Sequence, residues 1–97
     1  MTMTSELTPT DGARFLFERE RAEGTSADYR VSIYTPAATF AGHARLDEDG
    51  SAAVSIAAPT ELVSSAQTFA KLIARAAPKR REQGLPPWPA RVKNFRS

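Results

Sequence analysis

The sequence has no cysteine and a single histidine, His43. The first lack excludes disulfides, a thiolate nucleophile and cysteine-ligated zinc; the second excludes metal sites or proton relays built from several imidazoles. Its five glycines form no phosphate-cradling loop, and neither a Gly-x-Ser-x-Gly elbow nor a paired-histidine helix motif occurs. No apolar run reaches the roughly 18 residues that span a bilayer. The opening Met1-Thr2-Met3-Thr4-Ser5-Glu6 has neither the basic nor the apolar region of a secretory signal. A cytoplasmic chain without catalytic activity, cofactor, metal or membrane attachment is therefore expected. At 97 residues, 41% hydrophobic and 25% charged, the chain suits one domain with one core.

Charge is unevenly distributed. Residues 1–59 carry nine acids against five arginines, a net of −4, whereas residues 60–97 carry eight bases against two acids, a net of +6. A basic C-terminal part calls for a polyanionic partner or for an acidic patch on the protein itself.

Residues 1–12 are polar and turn-forming, with too few apolar side chains to offset the entropy of ordering them, and are read as a leader. From Ala13, Phe15 and Phe17 alternate with charged or outward residues, the period of a half-buried strand. Arg19 and Arg21 would continue on the phenylalanine side, so the strand is expected to leave the core there, and 22–28 reads as a loop. Tyr29, Val31 and Ile33 mark a second strand. Phe40, Gly42, Ala44 and Leu46 mark a third, and Ala52, Val54 and Ile56 a fourth. Asp47-Glu48-Asp49-Gly50 is a hairpin turn, because Asp-Gly supplies the positive φ of tight reversals. Short connections make the sheet an antiparallel meander.

Thr60 reads as the N-cap of an amphipathic helix over 60–77 whose apolar arc is Leu62, Ala66, Phe69, Ala70, Ile73, Ala76 and Ala77. Pro78 is expected to end it, leaving 78–97 as a basic segment rich in proline with the sole tryptophan. The fold class is α+β, a four-stranded sheet over 13–58 followed by one helix on one face. That helix leaves the other face open, with Arg14, Leu16, Arg30, Ser32, Tyr34, Thr39, Ala41, His43, Arg45, Ala53 and Ser55 on it. In topology alone this order resembles the small single-stranded-nucleic-acid binders of the transcriptional coactivator, whirly and PUR-repeat families. The resemblance implies strand contact through the open face or its dimer counterpart, and no residue motif carries over.

Each candidate site has a plainer competing reading. His43 lies on the outer face of a strand with no nucleophile beside it, which favours a solvated side chain over a general base. The acids at 47–49 lack the spacing of a calcium loop. Glu18 and Glu20 share a strand face, yet the interleaved arginines favour ordinary surface charges. Pro86-Pro87-Trp88-Pro89-Ala90-Arg91 matches a polyproline ligand pattern; the competing and favoured reading packs Trp88 back onto the domain.

Two surfaces remain as binding candidates. One is the open face, with Arg14, Arg30, Tyr34, His43 and Arg45. The other is a basic and aromatic stripe of Lys71, Arg75, Lys79, Arg80, Arg81, Trp88, Arg91, Lys93, Phe95 and Arg96. The expected function is a protein-interaction module that uses the open face and the C-terminal Pro-Trp basic segment, pairing with a second copy as a homodimer or with a larger protein. The alternative is a single-stranded nucleic-acid binder using the stripe, which requires the acids of the first part to be spatially segregated from the bases.

Overall fold

Phe15, Phe17, Tyr29, Val31 and Ile33 are fully buried, and the strands that carry them lie at the centre of the sheet. The computed structural model describes residues 12–96, so the leader reading falls, apart from Gly12, outside the described residues. The elements are β1 (Ala13–Glu23), β2 (Ser26–Tyr34), β3 (Thr39–Asp47), β4 (Ala52–Ile56), α1 (Thr60–Glu82) and β5 (Arg91–Arg96). They form an α+β domain with one antiparallel five-stranded sheet in the order β4-β3-β2-β1-β5, and the single helix lies between β4 and β5 in the chain.

The meander follows the alternation read from the sequence. Phe15 pairs with Ile33, Phe17 with Val31, Tyr29 with Ala44 and Ala44 with Val54, which sets the apolar residues of four strands on one side. On that side they pack with Ala66, Ala70, Ile73, Ala74 and Ala77 of α1. Four of these five helix residues are alanines, small enough to bring the helix backbone close to the sheet. Phe69 meets Phe15 edge-on at 5.0 Å between ring centroids. Gly42 is required by close approach: a Cβ there would meet the Ser55 carbonyl and lie 2.7 Å from Ile56 Cβ.

Four expectations need correction. Residues 22–28 are not a loop; β1 and β2 continue to the pair Glu23–Ser26 around a two-residue turn at Gly24 and Thr25. Gly24 takes φ +58°, and the pairing skips at Glu20, a bulge that lets β1 carry on without burial. The sequence pattern lost this arm because Ala27 is its one core residue and the β1 side of the ladder, Arg19 to Glu23, is exposed.

Thr60 is not the N-cap. Pro59 holds that position, no side chain caps the helix, and the Pro59 carbonyl accepts from the amides of Leu62 (2.9 Å) and Val63 (3.0 Å). The helix also runs through Pro78 to Glu82. Proline removes one helical hydrogen bond, and the last turn is held by other means. Arg81 pairs with Glu48, and the amides of Gly84 and Leu85 donate to the carbonyls of Arg81 and Arg80. With Gly84 at φ +77°, this is a Schellman ending. Burial accordingly shifts from the expected arc: Ala74 is buried and Ala76 is exposed.

The fourth correction is β5. Residues 91–96 are the fifth strand, antiparallel to β1 with Phe17 opposite Val92 and Phe15 opposite Asn94. Between helix and strand the proline-rich return turns Trp88 into the core at 2% exposure. Arg19 Nη1 donates to the Trp88 carbonyl (2.6 Å), Tyr29 Oη to the Pro89 carbonyl (2.7 Å) and Arg80 Nε to the Pro86 carbonyl (2.8 Å). Trp88 therefore serves as core, and the polyproline-ligand reading of this segment is withdrawn.

Candidate interaction face

The pairing register fixes what the uncovered side of the sheet presents. Reading across from β5, one row is Phe95, Arg14, Tyr34 and Thr39. The next is Lys93, Leu16, Ser32 and Ala41, and the third is Arg91, Glu18, Arg30, His43 and Ser55. Arg21, Asp28, Arg45 and Ala53 form a fourth. All of the expected open-face residues, Arg14, Arg30, Tyr34, His43 and Arg45 among them, lie here.

The second candidate set is not one stripe. Arg91, Lys93 and Phe95 join the open face because 91–96 is a strand, and the Arg14 guanidinium lies 6.0 Å from the centroid of the Phe95 ring. Arg96 points to the helix side, with Nη1 donating to Ser65 Oγ at 2.9 Å. Lys71, Arg75 and Lys79 are exposed on α1, while Arg80 and Arg81 are engaged by Pro86 and Glu48. Trp88, being core, is removed from any surface.

The face has already covered its main apolar side chain. Leu16 is 3% exposed and Ser32 7% exposed, although among the described residues no helix or strand packs over them. What remains exposed is basic, small or aromatic: Arg30, Ala41, His43, Arg45, Arg91 and Phe95. Its acids are partly engaged. Asp28 Oδ1 accepts from Arg45 at 3.1 Å, and Glu20 Oε1 lies 3.5 Å from His43 Nε2. Glu18 sits between Arg30 and Arg91 in the pairing, in no ion pair with either. The sequence reading took Glu18 as an ordinary surface charge and did not include it in the face.

The three acids at 47–49 are occupied elsewhere. At the β3–β4 turn Asp47 Oδ1 accepts from the Asp49 amide (3.1 Å) and Asp49 Oδ1 from the Ser51 amide (2.8 Å). The Ser51 bonds hold the Asp49 carboxyl below its usual range, and the bond from Arg81 to Glu48 raises the guanidinium further. The Tyr29 hydroxyl is pushed up to about 12 by burial, against the opposing pull of the Arg19 and Arg80 cations. Among the described residues no group of three or more His, Cys, Asp or Glu could hold a metal ion, and no helix is long and apolar enough to cross a membrane. Set against protein families, curated proteins and solved structures, the chain gives no match.

Proposed function

We propose that this chain is a protein-interaction module that docks a partner on its open sheet face. The observation that carries the reading is the mixed-sign row Arg91, Glu18, Arg30 and His43 on a face that no helix or strand of the described residues covers. A row of alternating charge selects a partner with the complementary pattern and suppresses others, which is how electrostatics gives specificity. A larger protein suits this face better than a second copy. Face-to-face packing of two copies would bury Arg14, Arg30 and Arg91 against like charges, with Leu16 already covered and little apolar area left to offset it.

The test is affinity capture with the immobilised full chain, in parallel with its Arg30→Glu and Tyr34→Glu variants. Partners retained by the parent and lost by both variants, with unchanged circular dichroism, support the reading. The same partners on all three proteins refute it.

A second reading, single-stranded nucleic acid, is favoured by charge segregation. Asp47, Glu48 and Asp49 sit at the β3–β4 turn, whereas Arg14, Arg91 and the rings of Tyr34 and Phe95 gather towards β5 at the opposite edge. Cations beside stackable rings are the elements of strand binding. Glu18 opposes it, since a carboxylate among the cations repels phosphate. Steeply salt-dependent binding of a labelled oligonucleotide that strengthens with Glu18→Gln would establish this reading in place of the first.

A further inference from the structure

The helix is not centred on the sheet. It packs chiefly against β4 and β3, whereas β5 lies at the opposite edge, beyond β2 and β1. A groove of about 250 Å³ is left between α1 and β5. Its helix wall is the stripe Phe69, Leu72, Ile73 and Ala76, whose spacings of three and four place them on one side of α1. Its strand wall includes Val92, which pairs with Phe17 and therefore points to the helix side of the sheet. Leu72 is 54% exposed and Ala76 is exposed, so the groove is open above them. Arg91, Lys93 and Phe95 point to the other side of the sheet, and the outer backbone of β5 takes no part.

Among the described residues one charge stands in this apolar lining. Because α1 runs on through Pro78, Arg80 reaches one end of the groove, beside Pro89. Arg80 Nε donates to the Pro86 carbonyl at 2.8 Å, which holds the guanidinium by one edge. Among the described residues its Nη1 and Nη2 have no hydrogen-bond or ion-pair partner, and no acid lines the groove. Phe69 lies eleven positions before Arg80, about 16 Å along the helix axis. The other polar side chain of the lining, Asn94, belongs to that far end, since it pairs with Phe15, whose ring meets Phe69.

We infer that this groove binds a small amphiphilic carboxylate, a free acid whose head group rests on Arg80 and whose hydrocarbon body runs along Ala76 and Leu72 towards Phe69. The site goes beyond the open-face reading and lies on the other side of the sheet from Arg30. The head group follows from the guanidinium. With Nε taken by Pro86, the two terminal nitrogens form a fork that donates to both oxygens of one carboxylate. The body follows from the wall between Arg80 and Phe69, which is apolar and gains by covering the exposed side of Leu72. The volume suits a small molecule and is too small for the face of a helix or strand. A second copy is disfavoured as the occupant, because a symmetric contact through this groove would set one Arg80 against another.

The experiment is an NMR titration of the nitrogen-15-labelled full chain with sodium octanoate, 1-octanol and octylammonium chloride, each to about 3 mM. Octanoate should give saturable shifts centred on the amides of Leu72, Ala76 and Val92, and should bind at least about fivefold more tightly than the alcohol or the amine. Arg80→Gln should weaken octanoate about fivefold, to the level of octanol, and leave octanol unchanged, which shows that the groove itself survives the substitution. Leu72→Glu, on an exposed position, should weaken octanoate and octanol alike, and Arg30→Glu should weaken neither. Equal binding of octanoate and octanol to the parent would overturn the proposal, because no head group would then be recognised. Shifts that centre outside the groove, or that do not saturate, would overturn it too. A dimer in light scattering that Leu72→Glu dissociates would overturn it in favour of a second copy as the occupant.

Discussion

The β4 and β5 edges solve the same problem in opposite ways. β4 reaches its place through a tight turn, Asp47 to Ser51, and its outward amide and carbonyl groups are taken up by Gln67. β5 arrives after the helix and an eight-residue return over 83–90 that buries Trp88, and carries the cations Arg91, Lys93 and Arg96. Edge strands invite pairing with other chains, and both a covering side chain and a row of cations are means of restricting it. They differ in what they permit. An amide cap occupies the peptide groups themselves, whereas cations repel basic and identical strands.

The largest effect should come from removing the anchor of the β5 edge. Trp88→Ala empties the centre of the return and should cost about 3–5 kcal/mol, a large part of the 5–15 kcal/mol typical of a domain. Chemical denaturation would measure it, and hydrogen exchange should show β5 amides opening before those of β3. A loss under about 1 kcal/mol would mean that β5 is held without Trp88. On the closed side, Gly42→Ala drives a methyl into the Ser55 carbonyl and the Ile56 side chain. A cost of about 1–3 kcal/mol is expected, with protection lost first in β4.

Gln67→Ala breaks the comparison more directly, because it makes the two edges alike. Ala52 and Val54 lose their partners, at a stability cost of about 1–2 kcal/mol. The more telling outcome is concentration-dependent self-association by light scattering, since β4 (Ala52–Ile56) has no charged residue to keep copies apart. A variant that stays monomeric would show that the cap serves stability alone.

These asymmetries were unequally legible in the sequence. The four-stranded meander, the hairpin at 47–50 and the inward set from Phe15 to Ile56 could be read directly, because strands with one buried side alternate strictly. The burial of Trp88 was also legible, from the cost of leaving the only tryptophan in water. β5 was not, because an edge strand buries little: its inner side offers Val92 and then Asn94, while its larger apolar residue, Phe95, faces outward. Missing that strand split one surface into two. Arg14 and Phe95 are 81 positions apart in sequence and cross-strand neighbours in the sheet. The role of Gln67 could not be read either, since a glutamine on a helix reveals nothing about which peptide groups lie beneath it.

The smallest predicted effect tests the clamp between β2 and the return to β5. Tyr29 Oη donates to the Pro89 carbonyl, and burial holds the hydroxyl in its protonated form with a pKa raised from 10.0 to about 12. Tyr29→Phe should cost about 1 kcal/mol at neutral pH through the lost bond. The pH dependence has a definite sign. An unfolded Tyr29 ionises near 10.0 and the folded one near 12, so its contribution is complete below pH 10 and declines as pH rises from 10 to 12. The parent should therefore lose stability faster than Tyr29→Phe across that window, and the gap between them should close. Urea unfolding of both proteins from pH 8 to 11.5 reads this difference, with the lysines and arginines common to both cancelling. Parallel decline of the two curves would mean that Tyr29 ionises as freely in the fold as out of it, and that the return to β5 is not clamped through this hydroxyl.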